Sequence, residues 1–423
     1  MADADIFANY LKYTADTEPP TVYHRWCYLT SLGAVIGRNA YLDMGLLGRV
    51  FPTLYVMLLG EPATRKSTAI KMAKRIVGSS GYTTFAADKT RQEKFLLDLE
   101  GGIDEDVIEK DSKGRYDAVT AEALWGSSDD REPKHMFIVA DEFNDFAGSG
   151  NLEFYTMLGS LWDFDNTTTP FTQRFKNSKS VSIYQPTISI LSGNTPELFA
   201  KAFPPEAIGS GFLSRLLLIH GERSGRRITF PPPPDEIIGN GIIEHMKVLR
   251  LRQVGELKKT SQAYAMLDAI YQADSPLYDI RFKAYTQRRF TQLLRLCVII
   301  AAAKLQTEVT DHDVLYANTI LSHAEINMPK AIGEFGKGKN SDVANKIMSI
   351  LEQATKPVSN RELWQQVHKD LASQKDLIDI MSGLLMADKI QTVEKGFLLK
   401  KLVRKDPPHV DWMLLTQEER DMI

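Results

Sequence analysis

Residues 54–68 decide the fold: Leu54-Tyr-Val-Met-Leu-Leu-Gly60-Glu61-Pro62-Ala63-Thr64-Arg65-Lys66-Ser67-Thr68. An apolar, β-prone run ends at a glycine and a short loop follows. Lys-Ser-Thr then opens an amphipathic helical pattern, Ala69-Ile-Lys-Met-Ala-Lys-Arg-Ile76. This is the strand–loop–helix layout of a phosphate-binding P-loop. Backbone N–H groups along residues 60–68, all but the imide of Pro62, face phosphate oxygens, the lysine reaches the β/γ-phosphates, and the Ser67 hydroxyl meets Mg²⁺. One position departs from the usual pattern: Arg65 stands where glycine is expected, just before the lysine.

Around this stretch the chain is long enough, at 423 residues, for roughly two to four domains. A hydrophobic content of 43% with 25% charged residues is that of an ordinary soluble globular protein. The formal net charge of −3 carries no basic bias, so any nucleic-acid contact must come from local patches. Cys27 and Cys297 are too few for a four-ligand zinc site or a disulfide framework. The longest apolar stretch, residues 296–303, is too short to span a bilayer, and the N-terminus has no apolar signal region. The chain therefore reads as cytoplasmic, with no membrane partner.

Residues 1–50 carry helical spacing and form a helical N-terminal region. Three more apolar runs follow the first strand: 136–140 ending in Asp141-Glu142, 187–191 ending in Ser192-Gly-Asn194, and 216–220 following Ser214-Arg215. They alternate with helical stretches and lack polar alternation, which predicts a parallel sheet buried on both faces. Residues 51–234 thus form an α/β core, closed by the proline run 231–234. Residues 235–332 read as helices without a strand signal, an all-α lid. Residues 333–340 have linker composition. Residues 341–403 read as three helices and a β-pair, a winged helix, and 404–423 as a polar tail.

Several residues fit the chemistry of a phosphate site. Asp141, at the end of a buried strand, is placed to hold Mg²⁺ through water, and Glu142 to orient and deprotonate an attacking water. Asn194, at the next strand end, is placed to hold that water or the γ-phosphate. Arg215 is placed to reach a phosphate bound by a neighbouring subunit. Trp162-Asp163-Phe-Asp165 has the spacing of a two-carboxylate metal site. No second acidic cluster accompanies it, so primase-type chemistry is not assigned. The histidines lack ligand spacing, and no metal beyond Mg²⁺ is expected.

This order of motifs resembles the AAA+ ATPases over most of residues 50–330. Arg288-Arg289-Phe-Thr-Gln-Leu-Leu-Arg295-Leu, then Ala301-Ala-Ala-Lys-Leu and Val309-Thr-Asp-His-Asp-Val, looks like the sensor-2 region of minichromosome-maintenance helicases. By that resemblance Arg288 is the sensor-2 residue, acting in cis or in trans, with Arg289 as the fallback. The stretches "YLKYT…EPP…W", "FPTLYVMLLGE" and "RKST" are similar to a family of phage and plasmid ATPases, many with arginine before the lysine. Arg65 then looks like a family trait. In superfamily 3 and minichromosome-maintenance helicases a hairpin before the strand-end asparagine grips single-stranded DNA in the ring pore. Phe171-Thr-Gln-Arg174-Phe175-Lys176-Asn-Ser-Lys179 occupies that place, with Arg174, Lys176 and Lys179 for phosphates and Phe175 for stacking on a base.

The resemblance implies an ATP- and Mg²⁺-dependent replicative helicase, a homo-hexameric ring acting on single-stranded and forked DNA. One subunit would supply Gly60, Lys66, Ser67, Asp141, Glu142 and Asn194, and its neighbour Arg215. A loader or switch ATPase that places another protein on DNA without unwinding is the alternative. The third helix of the winged-helix segment is not basic, and positive charge gathers instead at Lys395, Lys400, Lys401, Arg404 and Lys405. DNA contact and protein contact both remain open for it. The tail around Trp412 is a candidate site for a replication partner.

Overall fold

The computed structural model describes residues 6–101, 133–165, 169–175, 180–203, 211–273, 277, 279–332, 341–354, 356–371, 373–386, 390–394, 396–399 and 407–423. The chain divides into two compact units, Met1–Gly333 with Pro407–Ile423, and Glu334–Asp406.

The first unit is mixed α/β. Helices α1 (Ile6–Tyr13) and α2 (Thr21–Ile36) are followed by a hairpin of β1 (Ala40–Asp43) and β2 (Arg49–Val50). Strand β3 (Tyr55–Leu59) runs through the loop 60–65 into α3 (Lys66–Ser79), and α4 (Gln92–Glu100) follows. Strand β4 (His135–Ala140) leads to α5 (Phe143–Ala147) and α6 (Leu152–Leu161). The hairpin β5 (Phe171–Gln173)–β6 (Val181–Ile183) precedes β7 (Thr187–Asn194), α7 (Pro196–Ala202) and β8 (Leu216–His220).

Strands β4, β7, β3 and β8 form one sheet in that spatial order, all parallel. A parallel bridge from Phe85 to Phe137 extends it beyond β4. Every residue of β3 and β7 is buried, so both faces of the sheet are covered, as the unbroken apolar runs require. The P-loop strand lies next to β7 and not next to the acidic strand β4. That arrangement sets Asn194, at the end of β7, between the loop and Asp141.

Residues 235–332 hold α8 (Glu236–Leu251), α9 (Ser261–Gln272), α10 (Lys283–Thr286), α11 (Arg289–Ala303) and α12 (Asp311–Ala331). They are not purely helical. Strand β9 (Gly255–Glu256) pairs with β1, and β10 (Lys258–Lys259) pairs with β11 (Glu308–Val309). The helical reading of residues 1–50 is corrected likewise by β1 and β2. Strands of two residues, and of four in β1, are too short to print an alternating pattern, so hydropathy does not reveal them. Among the described residues no helix is long and apolar enough to cross a membrane.

The segment read as a tail is also corrected, because residues 407–423 are packed into the first unit. Asn318 Nδ2 donates to the carbonyls of Pro408 and His409, and the short helix α16 (Gln417–Arg420) presents two carboxylates to α2. Glu418 accepts from the N–H and hydroxyl of Thr21. Glu419 is fully buried and takes two bonds from the Arg25 guanidinium, both 2.6 Å, while Arg25 also donates to the Tyr316 hydroxyl at 2.6 Å. Trp412, the proposed partner-contact residue, is half-buried in a single turn of this segment.

The second unit has helices α13 (Ser341–Gln353), α14 (Asn360–Val367) and α15 (Gln374–Met386), then the antiparallel hairpin β12 (Ile390–Val393)–β13 (Gly396–Leu399). Ile347, Leu351, Leu363, Leu377 and Ile390 lie in its core. A bridge between Val358 and Phe397 adds a third strand position. Lys395, Lys400, Lys401, Arg404 and Lys405 lie outside the described residues.

Burial pushes the Glu419 carboxyl up, but the hydrogen bonds and charge of Arg25, with help from Thr416, outweigh it and hold it below the usual value of 4.5. A carboxylate depressed in the folded state contributes stability above its unfolded value and loses it as pH falls through the folded value. Glu419→Gln is therefore expected to lower stability by about 3 kcal/mol at neutral pH, since it leaves the Arg25 charge buried and unpaired. In urea unfolding at pH 7 and again below about pH 4, the gap to wild type should narrow in acid.

Candidate active site

The loop 60–65, the candidate P-loop, is shaped by two residues in the left-handed region, Ala63 (φ 66°) and Arg65 (φ 62°). The position where glycine is usual does require that conformation, and Arg65 adopts it at a cost of about 1 kcal/mol or more. An ion pair helps to hold it there. Arg65 Nε donates to Glu18 Oε2 at 2.5 Å, while Glu18 Oε1 accepts the N–H of Ile228 at 3.0 Å. The backbone bond from Ile228, then the Arg65 partner, hold the Glu18 carboxyl below its ordinary value against desolvation. Arg65 thus points sideways to the N-terminal segment and leaves the mouth of the loop.

Arg65 caps α3 without a side-chain acceptor, so the first N–H groups of the helix remain for an anion. Lys66 Nζ folds back over the loop, donating to the carbonyls of Gly60 (2.7 Å) and Glu61 (3.1 Å) and to Thr64 Oγ1 (3.1 Å). Partial burial lowers the Lys66 ammonium from its ordinary value, with Glu142 and Glu61 pulling the other way. The lysine is therefore within the field of the strand-end glutamate. Ser67 sits in the first helical turn, half-buried.

Gly60 is fixed by packing. An added Cβ would meet the carbonyl oxygen of Gly221 at 2.5 Å and the hydroxyl of Tyr23. That hydroxyl shares its one proton between the carbonyls of Leu59 (2.9 Å) and Gly221 (3.1 Å), pinning α2 to the ends of β3 and β8. Gly193 has a similar role at the end of β7. A Cβ there would lie 2.6 Å from the Asp141 carbonyl and 3.5 Å from Lys66 Cβ. The missing side chain lets the acidic strand end and the start of α3 close on β7.

Asp141 and Glu142 follow β4 at this edge. Asp141 Oδ2 accepts from Lys71 Nζ of α3 at 2.7 Å, and both side chains are substantially exposed. Glu142 is exposed at the start of α5. Asn194 is fully buried, and its amide is already engaged: Nδ2 donates to Asn144 Oδ1 (3.2 Å) and Oδ1 accepts the Thr195 N–H (3.0 Å). Asn144 in turn donates to the Leu198 carbonyl. Asn194 thus occupies the expected place, with its amide held by the turn that follows Glu142.

Arg215 and Arg288 lie elsewhere. The register pairs Tyr55 with Leu216 and Leu59 with His220, so Arg215 stands at the start of β8, level with the start of β3. About five residues of parallel strand, on the order of 15 Å, separate it from Gly60. Arg288 Nε donates to Ser214 Oγ at 3.0 Å, which places Arg288 at the same far edge. Arg289, at the start of α11, is buried against α12. It bonds Glu325 Oε2 (2.9 Å), Asn318 Oδ1 (2.8 Å) and Ser322 Oγ (3.1 Å), a structural role that removes it as the fallback. Asp163 and Asp165 are both tied to arginines, Asp163 to Arg215, Arg288 and Arg295, and Asp165 to Arg38. Among the described residues no cluster of three or more His, Cys, Asp or Glu could hold a metal.

Two clefts flank the P-loop. One of about 740 Å³ is lined by Tyr13, Glu18, Arg65, Thr68, Met72 and Ile238. The other, about 260 Å³, is lined by Ala63, Thr64, Arg65, Arg223, Arg226 and Arg227. Arg223 NH2 donates to the Pro62 carbonyl at 3.0 Å. Tyr23, Glu18 and Arg223 are elements of this site that sequence reasoning missed, since only the fold brings them to residues 60–65. Arg174 is exposed and Phe175 half-buried at the β5 end of the β5–β6 hairpin, while Lys176 and Lys179 lie outside the described residues.

Gly60→Ala is expected to destabilise the protein by about 1–3 kcal/mol, through overpacking against Tyr23 and Gly221. Tyr23→Phe alone should cost about 1 kcal/mol for the hydrogen bond its hydroxyl shares between two carbonyls. The double variant should cost less than the sum of the two, because removing the hydroxyl relieves half of the clash. Chemical denaturation of the three variants measures this coupling.

Comparison with protein-family models and with curated protein sequences finds no match for the chain.

Proposed function

We propose that the chain is an AAA+-type ATPase that works as a ring of identical subunits, a hexamer, moving along single-stranded DNA and unwinding forked duplexes. The observation that carries this reading is the division of the site between two edges of one sheet. Lys66, Ser67, Asp141, Glu142 and Asn194 gather at the C-terminal ends of the strands, and Arg215 and Arg288 at the start of β8. An arginine that stabilises charge on a γ-phosphate must touch it, and these two are out of reach of their own P-loop. A second copy, docked with its loop against this arginine edge, completes the site. That contact is head-to-tail, and a head-to-tail contact that closes gives a ring. In this reading Arg288 acts in trans beside Arg215.

The residues present fit a triphosphate with Mg²⁺. A hydroxyl (Ser67) and a carboxylate (Asp141) are the oxygen donors this ion takes when phosphate and water supply the rest. The exposed Lys71–Asp141 pair is weak enough to exchange for the ion. Mg²⁺, when bound, neutralises phosphate charge and polarises the phosphorus centre. Lys66, now on loop carbonyls, would swing to the β/γ-phosphates, and Glu142 would orient the attacking water. Asn194, backed by Asn144, would fix the distance between that water and the loop. The 740 Å³ cleft beside Thr68 and Met72 has the size of a small-molecule site and would take the base and ribose.

The DNA part rests on the antiparallel β5–β6 hairpin placed just before β7, with Arg174 exposed on it. Basic and aromatic residues at such a turn suit a single strand's phosphates and bases. Strand displacement on a forked duplex is the test. Wild type should unwind with ATP, and Lys66→Ala should lose at least about a hundredfold in both turnover and unwinding. Replacement of Lys176 and Lys179 by alanine should spare basal turnover and remove its stimulation by single strands. An assembly that hydrolyses ATP and unwinds nothing would overturn the helicase reading in favour of a loader or switch ATPase.

A further inference from the structure

We infer that Trp162 and Asp163 are positioning residues that hold Arg215 and Arg288 as one cationic site for the terminal phosphate of a nucleotide bound to a second copy of the chain. The inference rests on the shared-site reading above and adds to it the platform on which the arginines stand. Trp162 is buried, and three guanidinium groups lie over its ring, with centroid distances of 3.9 Å for Arg295, 5.6 Å for Arg215 and 5.9 Å for Arg288. Asp163 is half-exposed, and the same three arginines share its carboxylate. Arg295 NH2 is 2.8 Å from Oδ1, Arg288 NH1 3.5 Å and Arg215 NH2 4.0 Å from Oδ2.

The three arginines have different tasks. Arg295 is fully buried and bonded to backbone carbonyls, those of Phe51 (3.1 Å), Thr53 (2.8 Å) and Trp162 (2.9 Å). It fastens the Trp162–Asp163 corner to the start of β3. Arg215 and Arg288 make only longer contacts to Asp163, and Arg215 Nε is buried with no hydrogen-bond partner among the described residues. Among the described residues one carboxylate meets three guanidinium groups, and beyond it Arg215 NH1 donates to the Gly211 carbonyl and Arg288 Nε to Ser214 Oγ, so the site keeps a positive balance and an unpaired Arg215 Nε. Planar guanidinium groups in that condition suit a phosphate, which offers several oxygens to both at once. Indole and carboxylate together restrict where the two side chains can point, which is the pre-organisation that stabilisation of transferred-phosphoryl charge needs.

The test is complementation between variant subunits in the assembled ATPase. Asp163→Asn keeps the shape and an oxygen for Arg295 but removes the charge that gathers Arg215 and Arg288. It should lower kcat at least about tenfold, with KM for ATP within about twofold, because its own P-loop is untouched. Glu142→Gln should be inactive for the opposite reason, with intact arginines beside a disabled loop. Mixed in equal amounts, the two should recover roughly a quarter of wild-type turnover, from interfaces that join a good loop to good arginines. Arg215→Ala mixed with Glu142→Gln is the control. Asp163→Asn turnover within about twofold of wild type overturns the inference. So does an inactive Asp163→Asn that complements nothing while Arg215→Ala does, since the damage then lies in its own fold. If neither mixture recovers activity, the shared-site reading falls, and the positioning role with it.

Discussion

The parallel register of four strands governs everything else in the first unit. Because β3, β4, β7 and β8 all run the same way, every strand end that carries P-loop, acid or amide chemistry emerges at one edge. The segments entering the strands emerge at the other, so Arg215 is on the far side by topology and no side-chain rearrangement can return it. Side-chain pairs can be exchanged within a few kcal/mol, but the sheet direction changes only by unfolding. A chain built this way sets Lys66, Asp141 and Asn194 at one edge and Arg215 with Arg288 at the other.

The loop edge is held by segments far apart in sequence. Tyr23 of α2 bonds the last carbonyls of β3 and the first residue after β8. Two residues along α2, Arg25 makes a buried pair with Glu419. Next to that pair, Glu418 joins Thr21 to Arg226, and Arg226 lines the cleft beside Arg65. Ion pairs buried like Arg25–Glu419 often add little net stability relative to an apolar pair, because desolvation offsets the attraction. Their geometry is nonetheless demanding, with both oxygens and three guanidinium nitrogens satisfied, so they fix where a helix sits. Here the fixed object is the helix that abuts the P-loop, and residues 407–423 are part of the wall behind the site.

What could be read from the sequence divides along the same line between local and distant contacts. The P-loop, Asp141-Glu142 and the end of β7 are strand–loop–helix corners. Their chemistry is written in consecutive residues, and the apolar runs that precede them fix the side of the sheet on which they emerge. The long, fully buried strands were legible for the same reason. The two-residue strands β9, β10 and β11 were not, because pairing and not hydropathy creates them. Arg65 announced an anomaly, but its partner Glu18 is 47 residues away and no spacing rule links them. The Asp-x-Asp of residues 163–165 has metal-site spacing that the lack of a second acidic cluster already speaks against, but nothing in the sequence shows that three arginines meet Asp163 and Arg38 meets Asp165. Carboxylate pairs take their meaning from whichever cation arrives, and a linear reading does not contain that.

The two edges are not mechanically independent. Phe143, the residue after Glu142, stacks on Phe212 at 5.7 Å and 19°, and Phe212 lies three residues before Arg215. Tyr155 and Phe203 complete the layer, with Tyr155 5.5 Å from Phe212 and Phe203 6.1 Å from Phe143. All four rings are buried. Close-packed protein interiors leave little slack for one ring to move alone. A displacement of Phe212 must carry Phe143 with it or open a void, and each lost aromatic contact costs about 1 kcal/mol. On the other face of the acidic turn, Asn144 holds the Asn194 amide. The turn of Glu142 therefore sits between a rigid aromatic layer that reaches the arginine segment and a hydrogen bond that reaches the end of β7. Coupling needs an element with two arrangements that both sites bias. Among the described residues this turn carries, on one short segment of backbone, a contact toward each edge, Phe143 to Phe212 and Asn144 to Asn194.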